Sequence, residues 1–284
     1  MKPAPFDYHA PKTISAALEL LSQHGGDARL LAGGQTLMPM MNFRLAAPSV
    51  VIDLNRVEEL DFIEDAGDVV RIGAMTRQRS LEFSALVAEK LPLLSRAIRM
   101  VGHLPTRSRG TIGGSLANAD SAAELPMVLQ VLEGEVLVIG PKGQRAIKAR
   151  DLFVDSMVTT LEEDEILTEI RIPVMPSSAR FAVDEFSRRR GDFAIAAVAV
   201  VLTFEGPRCK MARLATAGVS STPTRLLSAE GLLEGQVIDA TVIAGAAEAA
   251  AAAIEPMTDR NASEAYRRHL TKILTMRVLE RAAN

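Results

Sequence analysis

Tryptophan is absent from this 284-residue chain, tyrosine occurs twice, and aromatic residues make up only 4% of it. A surface that stacks nucleobases needs many rings, so nucleic acid is a poor partner. The charge balance agrees. Lys and Arg total 32 against 35 Asp and Glu, a net −3 at pH 7, whereas a nucleic-acid coat calls for a basic excess. The single cysteine, Cys209, excludes a disulfide within the chain. It also leaves too few thiolates for an iron–sulfur cluster or a cysteine-rich zinc site, and it fits a reducing cytoplasm. The four histidines, His9, His24, His103 and His269, are scattered and form no HExxH, so no metal site is expected. Long hydrophobic runs are also missing. The longest, Phe193 to Leu202, falls well short of the roughly 20 residues of a membrane span. The opening MKPAPFDYHAPK has no apolar core of a signal peptide. The expectation is a cytoplasmic protein without a membrane span.

Hydrophobic residues are nevertheless 48% of the chain and charged ones 24%, enough for packed cores. Thr13 caps a predicted helix with the apolar stripe Ile14, Ala17, Leu18 and Leu21, ended by Gly25-Gly26. Ala28–Ala32 and Val50–Leu54 read as strands around a short helix over Leu37–Arg44, an arrangement consistent with parallel pairing. Val69–Gly73 is a strand, Thr76–Val101 mainly helical with a break at Pro92, and Gly102–Gly114 a polar, glycine-rich loop. A helix near Ala122–Leu132 precedes a hairpin, Glu135–Ile139 and Arg145–Ala149, turned at Pro141-Lys142-Gly143. Asp151–Ser156 is a predicted short helix and Ile166–Ile172 a strand. PVMPSS, Pro173–Ser178, reads as a linker. Beyond it, Arg180–Arg188, Phe193–Phe204 and Lys210–Gly218 suit three antiparallel strands. Helices near Thr224–Leu233, Asp239–Ile254 and Asn261–Arg281 follow.

Two glycine pairs carry most of the chemical information. Ala32-Gly33-Gly34-Gln35-Thr36 and Thr111-Ile112-Gly113-Gly114-Ser115 both combine glycines with hydroxyl or amide side chains. Such turns let backbone approach a ligand closely, and their successive N–H groups bind anions. A lone pair is usually just a turn, but two of matching character suit a pyrophosphate. No GxxxxGK[ST] and no GxGxxG is present, which weakens P-loop and Rossmann readings.

The stretches LAGGQTLMPMM (Leu31–Met41) and RGTIGGSLANADSAAELP (Arg109–Pro126) closely resemble the FAD-binding medium subunit of molybdenum hydroxylases, the family of carbon monoxide dehydrogenase and xanthine dehydrogenase. The resemblance extends over the whole chain, through Phe6-Asp7-Tyr8, Val51-Ile52-Asp53-Leu54, Arg71-Ile72-Gly73-Ala74 and Gly191-Asp192-Phe193. It implies an α+β fold: a two-subdomain FAD-binding part of the vanillyl-alcohol-oxidase/PCMH type over 1–57 and 58–177, then a C-terminal domain, 178–284, of three antiparallel strands and a helix bundle. It implies non-covalent FAD, with Ala32–Thr36 and Thr111–Ser115 at the pyrophosphate and Glu124 on the adenosine ribose side. A helix-surface carboxylate is the plainer reading of Glu124. Ile166 and Leu167 match an apolar pair beside the flavin, or an ordinary strand core. Asp192-Phe193 stands where relatives often carry Asp-Tyr, so Phe193 could cover a flavin face but has no hydroxyl to donate.

The resemblance further implies a small partner subunit with two [2Fe-2S] clusters and a large one with molybdopterin, assembled as a dimer of heterotrimers. Electrons would pass from the clusters through FAD to an external acceptor, with no side chain of this chain acting as nucleophile or base. One cysteine here means that the clusters belong to another chain. A free-standing flavin oxidoreductase is the alternative, and a scaffold that has lost flavin is a second. Arg188-Arg189-Arg190 reads as a solvated strand end or a partner-facing patch.

Overall fold

The computed structural model describes residues 1–283. Four sheets organise the chain. The first is built from β1 (Asp7–His9), β2 (Ala28–Leu31) and β3 (Val50–Asp53) in the order β1-β3-β2, all parallel. Helix α1 (Ile14–His24) crosses between β1 and β2, and α2 (Leu37–Asn42) between β2 and β3. Thr13 caps α1 by accepting from the Ala16 amide at 3.2 Å, and Gly25 ends it at φ 51°. The strand β1 had no sequence signal. It carries exposed Tyr8 and exists because β3, buried on every apolar residue, offers it an open edge.

The second sheet has five strands, β4 (Ile63–Asp65), β5 (Val69–Gly73), β6 (Glu135–Gly140), β7 (Gly143–Lys148) and β10 (Ile166–Pro173), ordered β4-β5-β10-β6-β7. All four pairings are antiparallel. Between β5 and β6 the chain forms six helices: α3 (Gln78–Phe83), α4 (Ala85–Lys90), α5 (Pro92–Ala97), α6 (Leu104–Arg109), α7 (Ile112–Asn118) and α8 (Glu124–Val131). Before β10 lie α9 (Ala149–Leu152) and a small ribbon of β8 (Phe153–Asp155) and β9 (Val158–Thr159). The helix expected over Asp151–Ser156 is therefore a strand for its second half, turned at Met157, whose φ is 59°. The supposed loop Gly102–Gly114 is largely helical. Thr111 caps α7, accepting from Gly114 N at 3.0 Å, so the second glycine pair lies in a helical first turn.

The PVMPSS stretch is packed rather than free. Val174 N donates to Asp68 O, Met175 N to Lys90 O, and the Met175 side chain is buried. The fourth sheet then adds β11 (Arg180–Phe186), β12 (Ala196–Glu205), β13 (Arg208–Ala217) and β14 (Thr224–Arg225), antiparallel and in chain order. The short β14 makes four strands where three were expected. It takes the two residues that had been read as the start of α10 (Leu227–Leu233). Helices α11 (Ala240–Ala253) and α12 (Glu264–Ala283) complete the bundle.

Strand β12 joins the two halves. Its residues Ala196 to Leu202 are all buried, as expected of a continuous apolar run. Ala197, Ala199 and Val201 enter the core formed with α5 and α8. Ala196, Val198, Val200 and Leu202 enter the core shared with α10, α11 and α12. Alternation on one strand thus feeds two cores. Cys209 on β13 is 1% exposed, and burial pushes its thiol up to about 11. The native protein should therefore leave a thiol reagent unreacted at pH 8, and release one equivalent only on unfolding. Rapid native labelling would mean that β13 opens locally.

Candidate functional site

The two glycine motifs, some 80 residues apart in the sequence, meet. Gly33 is buried against the chain at Arg109 and Gly110. A β-carbon there would overlap Arg109 O and lie 2.7 Å from Gly110 Cα. A β-carbon on Gly114 would lie 2.8 Å from Thr111 Oγ1 and 3.2 Å from Ala32 Cβ, and one on Gly113 2.6 Å from Ala74 Cβ. Gly33 and Gly113 are needed because the backbone of Arg109–Gly110 and of Ala74 packs directly on them, and Gly114 because the capping Thr111 hydroxyl and Ala32 do. Only Gly34 of the four has a left-handed φ, 71°. Glycine pairs at these positions would be retained with or without a ligand, so by themselves they do not separate a flavin site from a scaffold.

Hydrogen bonds stitch the contact. Asn55 Nδ2 donates to Ala32 O at 3.0 Å, Arg77 Nη2 donates to Asn55 Oδ1, and Arg77 Nη1 donates to Arg109 O. Arg77 is held below its ordinary pKa, first by burial and then by Arg109. The second motif hangs on the segment after β5: Ile112 N donates to Thr76 O, Gly113 N to Ala74 O, and Gln78 N to Gly110 O. Asn55, Arg77 and Gln78 were not foreseen. No motif marks them, since their partners are carbonyls of distant segments.

The amides of the two motifs are used differently. Those of Ile112, Gly113, Gly114 and Ser115 are all spent, on Thr76 O, Ala74 O, Thr111 Oγ1 and Thr111 O. The expected anion nest is thus not available at the second motif. At the first, the amides of Gly34, Gln35, Thr36 and Leu37 have no protein acceptor among the described residues. Four consecutive free donors at the entry of α2 are a nest for an anion.

These segments line a cleft of about 460 Å³. Ala32 to Thr36, Thr111, Gly113, Gly114, Ser115, Glu124, Ile166, Leu167 and Phe193 all border it. Ile112 does not. It is 2% exposed and belongs to the core around α7. Asp192 does not either, and instead lines a neighbouring cavity. Leu37, Met40, Asn118, Asp120 and Met157 also line the cleft.

Glu124 is no surface carboxylate. It opens α8, is 4% exposed, and burial pushes it up to about 8, with Glu185 and Asp120 adding repulsion. At neutral pH it is a neutral carboxylic acid that can donate a hydrogen bond. Ile166 and Leu167 are buried at the start of β10, on opposite faces: Ile166 joins the core around β3, Leu167 the core of the helical layer. Phe193 is not a core aromatic of β12. It precedes the strand and stands 59% exposed between the cleft and the adjacent cavity. Gln78 Oε1, also on the cleft wall, is buried with no hydrogen-bond partner.

A phosphate-bearing nucleotide fits this donor set. The free amides suit a pyrophosphate, and the neutral Glu124 suits hydroxyls. Among the described residues no group of three or more His, Cys, Asp and Glu is placed to hold a metal ion, and no helix is long and apolar enough to cross a membrane.

Comparison with known proteins matches two families along the chain. Residues 4–175 match the family described as FAD binding domain in molybdopterin dehydrogenase, and residues 181–282 match the CO dehydrogenase flavoprotein C-terminal domain. The chain is 39% identical to the 6-hydroxypseudooxynicotine dehydrogenase complex subunit alpha of Paenarthrobacter nicotinovorans, over 99% of this chain and 96% of that one. It is 38% identical to the carbon monoxide dehydrogenase medium chain of Afipia carboxidovorans, over 99% and 98%. A solved carbon monoxide dehydrogenase from Hydrogenophaga pseudoflava superposes with a TM-score of 0.98 at 38% identity, covering 99% of this chain and 98% of that one. The chain belongs to the FAD-binding medium subunits of molybdenum hydroxylases, oxidoreductase components of the carbon monoxide dehydrogenase type.

Proposed function

We propose that the cleft holds FAD non-covalently, where subdomains 1–57 and 58–177 meet, and that domain 178–284 closes its flavin end with Phe193. The observation that carries this is the row of four free amides at Gly34 to Leu37, on residues that line one cleft together with Ser115. When bound, FAD supplies the redox chemistry for moving electrons from two [2Fe-2S] clusters on a small partner subunit, fed by molybdopterin on a large one, to an external acceptor. The chain's own part is placement. The amides of Gly34 to Leu37 bind the pyrophosphate, and the Ser115 hydroxyl donates from the facing helix. Glu124, neutral at pH 7, holds the ribose hydroxyls. Ile166 and Leu167 border the cleft where the flavin would lie, and Phe193 covers it against water. The assembly proposed is a cytoplasmic dimer of heterotrimers. The alternative, a free-standing flavin oxidoreductase, is favoured by no feature of the 178–284 domain described above.

Ser115→Asp tests the site without threatening the fold. A carboxylate in the first turns of α7 complements the helix dipole, but it repels a pyrophosphate a few ångströms away by about 3 kcal/mol. The variant should unfold within about 2 °C of wild type and bind FAD roughly a hundredfold more weakly in a flavin titration. Unchanged FAD affinity would remove the pyrophosphate from this loop. A tagged pull-down with metal analysis tests the assembly. Flavin with iron, molybdenum and two further chains is the expected result, and flavin alone would favour the free-standing enzyme.

A further inference from the structure

A second cavity, about 650 Å³, lies beside the cleft and shares Phe193 with it. Its frame is the loop 188–195 between β11 and β12, the turn 218–221 after β13, and the segment 257–261 leading to α12 with Arg267. Ser121, Ala122 and Ser156 close it from the cleft-bearing part. Nothing in the proposed flavin site uses it, and the arginine run 188–190 has no part there either.

The charges in its wall do not cancel. Arg267 is tied to Asp259, Nη2 to Oδ2 at 2.9 Å, and Arg189 to Asp192 at 3.2 Å. The third arginine, Arg188, meets no carboxylate among the described residues and bonds only Asn261 Oδ1 at 3.1 Å. One positive charge is left over. The Asp259 carboxyl is held down at about 2, with two amides and Arg267 donating to it, so it remains negative and its pairing with Arg267 persists. Two donors are also unspent. Arg267 is 8% exposed, and its Nε is buried without an acceptor, although Nη1 donates to Ile195 O at 2.8 Å. The Ser221 hydroxyl makes no hydrogen bond among the described residues. The apolar side of the wall is Phe193, 59% exposed, and Met257, 73% exposed.

We propose that this cavity binds a small organic monoanion, an aromatic or similarly flat carboxylic acid. Its carboxylate pairs with Arg188 and takes a donor from the Ser221 hydroxyl. Its ring lies on Phe193 and Met257. A single surplus charge matches one carboxylate, and Asp192 and Asp259 in the same wall repel a second negative charge, which disfavours inorganic phosphate. The volume is of the usual size for a small-molecule pocket. Because Phe193 also borders the cleft, occupancy fixes the ring that covers the flavin. This coupling rests on the FAD reading.

The test uses benzoate as probe, with benzylamine and inorganic phosphate as controls, titrated calorimetrically into the full chain with and without FAD. Saturable one-to-one benzoate binding in both forms is expected, with no binding of either control. Arg188→Gln should weaken it about tenfold or more while FAD affinity stays as in wild type. In the FAD form, saturation should shift the visible flavin band, and Phe193→Ala should abolish that shift. The absence of benzoate binding, equal binding by Arg188→Gln, or preferential phosphate binding would each overturn the site. Benzoate heat without a flavin shift would overturn only the coupling through Phe193. Failure to take up FAD at all would leave the calorimetry on the flavin-free chain to decide the anion site separately.

Discussion

Gly33→Ala should lower the thermal midpoint by roughly 6–12 °C and remove bound flavin at the same time, although it adds one methyl group. The added carbon would overlap Arg109 O and sit 2.7 Å from Gly110 Cα. Both are backbone atoms and cannot turn aside. Arg109 O is further held by Arg77, which in turn holds Asn55 and, through it, the Ala32 carbonyl. Relief therefore requires the two motifs to separate. Overpacking of this kind costs about 3 kcal/mol, and 2–4 °C per kcal/mol is usual for a chain of this size. Gly34→Ala is the control. Its β-carbon would meet the flexible ends of Leu31 and Met38 at 3.1 Å, and the penalty is chiefly the left-handed φ, about 1 kcal/mol. A thermal scan and a flavin-to-protein ratio on the two variants distinguish the cases. Equal midpoints would show that the motifs do not pack on each other.

Stability should fall, not rise, between mildly acidic and alkaline pH. Burial holds Glu124 up at about 8 and Glu185 up at about 7, whereas an unfolded glutamate titrates near 4.3. Between these values the native state keeps protons that the unfolded chain has released. Raising the pH therefore favours unfolding. The contribution is complete below about pH 4.3 and is lost as the pH passes 8. For the buried Glu124 the full shift corresponds to an order of 3–5 kcal/mol. Urea midpoints of the flavin-free chain at pH 5 and pH 9 measure it. Glu124→Gln, which keeps a neutral hydrogen-bonding group, should lose most of the pH slope, and Glu185→Gln the remainder. A wild-type profile flat from pH 5 to 9 would mean that Glu124 is ionised in the fold. Glu124→Gln should also tolerate FAD better than Glu124→Ala if a neutral group holds the ribose.

Much of this was legible in one dimension because it depends on short-range rules. The Thr13 cap, the Gly143 hairpin turn and the parallel pairing of β2 and β3 follow from local conformational preference and strand periodicity. The strand at β12 follows from its unbroken apolar run, Ala196 to Leu202. Where local and distant demands compete, the reading went astray. Asp151 to Ser156 reads as a short helix, but residues 153–155 pair with 158–159 and form a ribbon. Thr224 and Arg225 look like a helix start, yet β13 offers an edge, and Arg225 is drawn to Glu230 at 2.7 Å. Phe193 sits in an apolar run, yet the chain before Ala196 is a loop, and its ring is left exposed between two cavities.

The sequence by itself determined the family, the two glycine motifs and the chemistry that one cysteine forbids, because each of these is a matter of residue identity along the chain. Only the tertiary structure decided what the motifs do. It spends the amides of the second motif on the Thr76 and Ala74 carbonyls and on Thr111 and leaves those of the first free, a difference set by which acceptors happen to lie opposite. It buries Glu124 and thereby keeps it neutral, since desolvation depends on every neighbour in space. It also gathers the loop of Arg188 and Phe193 and the helical Arg267 around one cavity from two separate stretches of chain. Unpaired charge and unspent donors are sums over partners in space, and such sums have no counterpart in the order of residues.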